Sequence, residues 1–104
     1  MKKKIALWLD DKRPMPFDFN LRAYTAQAAI AALETGEVDE ISLDHDLGPE
    51  NEVGNGYMVA CWIEENAYLG TLPRVAWRVH SQNGVGVAKM TTALQNADRY
   101  WNEA

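Results

Sequence analysis

Three apolar stretches of this chain each run straight into ionisable residues. Ile5-Ala6-Leu7-Trp8-Leu9 ends in Asp10-Asp11, and Ile41-Ser42-Leu43 ends in Asp44-His45-Asp46. Val75-Ala76-Trp77-Arg78-Val79 ends in His80-Ser81. Apolar residues drive a strand into the interior, and a carboxylate carried in with it is costly unless paired, hydrogen-bonded or metal-bound. Strand ends of this kind therefore place their charges at a rim that water, a cation or a ligand can reach. Asp10, Asp11, Asp44 and Asp46 are hard oxygen ligands of the type Mg²⁺ takes alongside water and substrate phosphate, and Mn²⁺ accepts the same set. His45 and His80, the only two histidines, could serve as general acid or base, as phosphate donors, or as ligands to a softer metal.

Plainer readings exist for each residue taken alone. Asp is a common turn former, so any one acid could simply shape a turn. Either His could hydrogen-bond a neighbouring Asp and fix a loop, and His45 could point to the other face of its strand. Ser81 could donate to a phosphoryl oxygen or cap the helix that follows. Lys12 and Arg13 could hold a phosphate or form a solvated turn. Gly84-Val85-Gly86 is a weak form of a phosphate cradle at a helix start. Two acidic pairs at two buried strand ends are what favours function over turn geometry.

The elements that must position these residues follow from periodicity. Within residues 4–9, Ile5 to Leu9 are a continuous apolar run, as in a parallel strand covered on both faces. Pro14 and Pro16 exclude a helix after it, so residues 12–20 are a loop. Leu21 to Tyr24 predicts a short edge strand. Thr25 caps a helix over Ala26 to Glu34, with Ala26, Ala29, Ile30 and Leu33 on one face and Gly36 closing it. Residues 48–56 hold Gly48, Pro49, Gly54, Asn55 and Gly56 and predict a flexible loop. A helix follows over 57–67, with Met58, Val59, Trp62 and Ile63 as its stripe, closed by Gly70 and Pro73. The last helix spans Val85 to Trp101, with Val87, Met90, Leu94, Ala97 and Trp101 spaced by three and four. Trp8 and Trp77 lie inside apolar strands and are expected in the core.

Strands alternating with helices predict an α/β fold with a parallel sheet and right-handed crossovers. Ligands in such sheets bind beyond the carboxyl ends of the strands, where Asp10, Asp44 and His80 all fall. The chain of 104 residues is long enough for one core and not two. A net charge of -5, with the ten basic residues scattered, argues against binding extended nucleic acid through its backbone. A small phosphate ligand stays open, because one divalent ion reverses the local field. No apolar run approaches the ~20 residues of a membrane span. Lys2-Lys3-Lys4 is followed by too short an apolar run for a targeting segment. The single Cys61 has no disulfide partner within the chain, which suits a reducing, cytoplasmic setting.

The chain resembles the receiver domains of response regulators at Asp10-Asp11, at Leu43-Asp44-His45-Asp46-Leu47 and at Ser81. That resemblance implies a flavodoxin-like, three-layer fold with Mg²⁺ on the acidic pair, Asp44 as phosphoacceptor and Ser81 beside the phosphoryl group. Two departures stand out. A Lys-Arg-Pro-Met-Pro loop replaces the first helix, and the fifth strand with its Lys has no counterpart in residues 1–104. Leu9-Asp10-Asp11-Lys12-Arg13-Pro14, Leu43-Asp44-His45-Asp46-Leu47-Gly48 and Val79-His80-Ser81 together look like a smaller, receiver-derived family, the cyclic-phosphate processing receiver domains. This closer resemblance implies a single truncated domain with four parallel strands in the order 2-1-3-4. It also implies metal-assisted processing of a phosphoester, a cyclic phosphate or cyclic nucleotide, in conflicts between bacteria and phages.

Under that reading Asp10, Asp11, Asp44 and Asp46 hold Mg²⁺ or Mn²⁺. Asp44, His80 and His45 carry the chemistry, and Lys12, Arg13 and Ser81 hold the phosphate. The competing readings are a non-catalytic module that binds a phosphorylated ligand or is phosphorylated on Asp44, and an interaction domain whose acids are a solvated edge.

Overall fold

Strand pairing follows from the four apolar segments, which in the computed structural model form one parallel sheet. The structure describes residues 3–103, so Lys2 of the basic opening lies outside it. The strands are β1 (Ala6–Leu9), β2 (Leu21–Ala23), β3 (Glu40–Leu43) and β4 (Ala76–Val79), in the order β2-β1-β3-β4. The helices are α1 (Ala26–Glu34), a single turn α2 (Glu50–Val53), α3 (Gly56–Leu69) and α4 (Gly84–Glu103). The α/β class, the sheet order and the missing first helix are as expected.

Where the helices lie follows from topology. The steps β2 to β3 and β3 to β4 both move the same way across the sheet. Right-handed crossovers then put α1 and α3 on one face, and α4 packs against α3. The main core joins Leu7, Leu9, Ile41 and Leu43 to Ala29 and Leu33 of α1, Val59 and Ile63 of α3, and Met90 and Leu94 of α4. The step from β1 to β2 runs the other way, and the helix that would cover the opposite face is the one that is missing. On that face Ala6 and Trp8 meet Phe19, whose ring stands edge-on to Trp8 at 5.2 Å. The third layer is thus the loop between β1 and β2 rather than helix.

The helix ends are chemically marked. The Thr25 side chain accepts from the Ala28 N–H, and the Asn55 side chain accepts from the Met58 N–H at 2.9 Å. Gly36 and Gly70 take the left-handed conformation that ends α1 and α3, with φ of 73° at each.

Three expectations are corrected. Residues 48–56 are not a plain loop: after Pro49 the chain makes the turn α2, and Asp46 then pairs with Asn55 in an isolated bridge. Met58 is half exposed, so the buried stripe of α3 is Val59, Ala60, Ile63 and Ala67. β4 is an edge strand exposed at Ala76 and Arg78, and Trp77 is only partly buried, its indole N–H donating to Asp98 at 3.0 Å. No helix among the described residues is long and apolar enough to cross a membrane.

Candidate cation and phosphate site

β1, β3 and β4 deliver Asp10, Asp44 and His80 to the same end of the sheet, one residue past each strand. Parallel pairing carries them there in step, since the Leu9↔Leu43 and Leu43↔Val79 registers align the three strand ends. One carboxylate oxygen from each of Asp10, Asp11 and Asp44 lies within 4.8 Å of the others. Asp10 is fully buried and Asp44 nearly so, while Asp11 is half-buried. Asp11 and Asp44 line a cleft of about 1060 Å³ together with Lys12, Arg13, Asp46, Ser81 and Asn83, while the fully buried Asp10 is not part of its lining.

Asp10 is the most constrained group. Its Oδ1 accepts the backbone N–H groups of Lys12 at 2.8 Å and Arg13 at 3.0 Å. Its Oδ2 accepts Arg13 Nη1 at 3.0 Å and His80 Nε2 at 2.9 Å. Burial alone would raise its pKa, but these four donors override it and hold the carboxyl at about 2. Asp44 goes the other way. Burial, then the charge of Asp10, raise its pKa against the opposing His45 N–H, Arg13 and Ser81. Arg13 Nη1 spans the two acids, 3.2 Å from Asp44 Oδ2.

The two histidines lie on opposite faces of the sheet, and neither lines the cleft. His80 stacks on Trp8 with ring centroids 3.8 Å apart. Its Nδ1 is 2.7 Å from Ser42 Oγ. Burial lowers its pKa against the pull of Asp10 and keeps the ring neutral. The network then assigns Nε2–H donating to Asp10 and the Ser42 hydroxyl donating to Nδ1. Both nitrogens are committed, so His80 holds Asp10 rather than facing a ligand. His45 is buried on the helix side, and its Nδ1 is 2.7 Å from Asp46 Oδ1. Gly86 of α4 makes room for it, because a Cβ there would stand 2.5 Å from the imidazole.

Asp46 is exposed and stands outside the acidic trio. It takes the His45 bond and the Asn83 amide at 3.3 Å, and the first of these lowers its pKa most. Ser81 lines the cleft, and its Oγ accepts the Asn83 N–H at 3.1 Å. In the Gly84-Val85-Gly86 stretch one N–H of the helix start is already taken, because Asn83 caps α4 through Oδ1 to the Gly86 N–H at 2.9 Å.

Sequence reading missed Ser42 and Asn83, and it gave Gly86 a different part from making room for His45. Asn83 had a usable signal, an Asn directly before a helical pattern, whereas Ser42 gains meaning only through the β3–β4 pairing.

Acid stability of the metal-free protein follows from these shifts. Asp10 has a folded pKa below its unfolded 3.8, so its contribution is present above about pH 4 and fades as pH falls toward 2. The shift is worth about 2 kcal/mol. His80, lowered in the fold, also loses stability on acidification, beginning near its unfolded value of 6.5. Unfolding measured from pH 7 to pH 2.5 is expected to show a late decline below pH 4 that is shallower in Asp10→Asn, where Asp46 and Glu40, both also lowered in the fold, still contribute. An identical late decline in that variant would refute the assignment.

The acidic trio fits a hard divalent ion. Its three oxygen donors converge, two of them are buried, and the one cation now among them sits on a flexible side chain. A family model described as Cyclic-phosphate processing Receiver domain matches residues 5–96. Neither the curated proteins nor the solved structures gave a match to the chain.

Proposed function

This chain belongs to the cyclic-phosphate processing receiver family, and on that premise we propose that its cleft hydrolyses a small cyclic phosphoester with the help of Mg²⁺ or Mn²⁺. The observation that carries the proposal is the convergence of the Asp10, Asp11 and Asp44 oxygens within 4.8 Å beside Arg13 and Lys12. Bound to these three acids, the ion would supply charge neutralisation at the phosphoryl oxygens and acidify a water.

The remaining work falls to the chain itself. Arg13 and Lys12 bind the phosphate, Arg13 with a planar fork suited to two of its oxygens. The Ser81 hydroxyl and the side chains of Gln82 and Asn83 line the same cleft and orient the sugar. Asp46 is the one exposed carboxylate there with a buried His behind it. It accepts the proton of the attacking water as the water oxygen bonds to phosphorus. The ring P–O bond then breaks, and the freed oxygen takes a proton from the medium. His80 and His45 are positioning residues, one fixing Asp10 and the other fixing Asp46. Phosphoryl chemistry asks mainly for positioning and charge neutralisation, so a small cleft suffices. The cleft volume accommodates a mononucleotide. A reducing, cytoplasmic setting suits the lone Cys61.

Incubation with 2′,3′- and 3′,5′-cyclic mononucleotides and with cyclic dinucleotides, in Mg²⁺ or Mn²⁺, tests this reading by chromatography. Ring opening of at least one, abolished by EDTA, is expected. Labelling of Asp44 by acetyl phosphate without turnover of any cyclic ester would replace this reading with a signalling receiver.

A further inference from the structure

A carboxylate has about four lone-pair positions, and all four on Asp10 are filled. Two go to the Lys12 and Arg13 backbone N–H groups, one to His80 Nε2 and one to Arg13 Nη1. A cation that takes Asp10 as a ligand must displace one donor. The backbone amides are fixed by the turn. His80 is wedged by its stack on Trp8 and by Ser42. Only the Arg13 side chain is free to leave: it is 41% exposed and lines the cleft. It is also the group that spans Asp44, so its departure frees oxygens on two of the three acids at once.

We infer that Arg13 is a tethered stand-in for the divalent ion, released onto the phosphate of an incoming ligand when the ion takes its place. While the metal is away, its guanidinium neutralises Asp10 and Asp44. When a divalent ion arrives, like charge and shared oxygens expel it. Its backbone stays pinned by the N–H bond to Asp10 Oδ1, so the freed side chain remains at the cleft. Cation and phosphate then bind with positive coupling, because the first releases the group that receives the second. This inference rests on the cleft being a divalent-cation site, and it adds an order and a linkage to that reading.

Calorimetric titration with Mn²⁺ and with inorganic phosphate, each alone and in the presence of the other, tests it on the parent and on Arg13→Gln. The variant is expected to bind Mn²⁺ alone roughly five- to thirtyfold tighter, and its Mn²⁺–phosphate coupling is expected to shrink by a comparable factor. Equal or weaker Mn²⁺ binding by Arg13→Gln, with the parent binding normally, overturns the stand-in role and leaves the cation site standing. A parent that binds no Mn²⁺ sinks both. A second measurement needs no variant. The Arg13 side-chain N–H resonance of the parent is expected to move on saturation with Mg²⁺ and again on adding phosphate, and a resonance unmoved by Mg²⁺ overturns the inference.

Discussion

Asp44→Asn is expected to raise the melting temperature of the metal-free protein and to abolish its response to Mg²⁺ and Mn²⁺. The two effects have one cause. Asp44 is buried beside the charge of Asp10, and both push its pKa up. A group with a raised folded pKa is harder to ionise folded than unfolded, so at neutral pH its charge opposes folding. Asn removes the charge and keeps an oxygen for the His45 N–H, which Asp44 Oδ1 accepts at 2.9 Å. Arg13 loses one acid but keeps Asp10. The gain should fall on the order of 0.5–2 kcal/mol, as when a strained functional group is relieved, which is a few degrees in a domain of this size. Loss of a direct oxygen ligand should cost more in cation affinity than the roughly 10–100-fold seen when a supporting partner is removed. Turnover of any cyclic ester should fall with it. Melting scans with EDTA and with Mn²⁺, on parent and variant, separate the terms. A variant whose melting temperature still climbs with Mn²⁺ would show that Asp44 is no ligand.

The scaffold could be read in advance because its signals are local. Thr25, Gly36 and Gly70 mark helix ends by conformations that need no partner elsewhere in the chain. The apolar runs ending in Asp10, Asp44 and His80 announced strands with a charged carboxyl edge, and parallel pairing did bring those ends together. What periodicity could not carry was direction and partnership. His45 and His80 look equivalent as letters, yet strand alternation sends them to opposite faces. One ends beneath Gly86 and the other on Trp8. Ser42 sits in an apolar run and reads as a minor defect until β4 is laid beside it and His80 Nδ1 arrives at 2.7 Å. The turn α2 was hidden because Pro49 and Gly54, read as loop formers, are its two ends. Arg13 beside an acidic pair could equally have been a solvated turn, and only the fold shows it spanning Asp10 and Asp44.

Gly56→Ala is expected to be the most damaging single methyl in the chain. Gly56 opens α3 where the helix start meets the end of β3, and its N–H donates to His45 O at 2.9 Å. A Cβ there would fall 1.9 Å from the Asp44 carbonyl oxygen and 2.8 Å from Met90 Sδ. Methionine can swing aside, but the carbonyl belongs to the backbone that aims the Asp44 carboxylate. Relief requires α3 to back away from β3, opening the packing of Val59 and Ile63 on the sheet. Overpacking of this kind costs about 1–3 kcal/mol where side chains can yield, and a backbone clash belongs at or above that range. Against a total stability of about 5–15 kcal/mol, the loss is a large fraction of the whole. Gly84→Ala is the matched comparison, since a Cβ at Gly84 meets nothing within 4 Å. Alanine there should change stability by less than about 1 kcal/mol, with a favourable sign from helix propensity. Urea unfolding of both variants decides it. If Gly56→Ala lies within 1 kcal/mol of Gly84→Ala, the α3–β3 junction is looser than these distances require, and the fixed aim of Asp44 would need another origin.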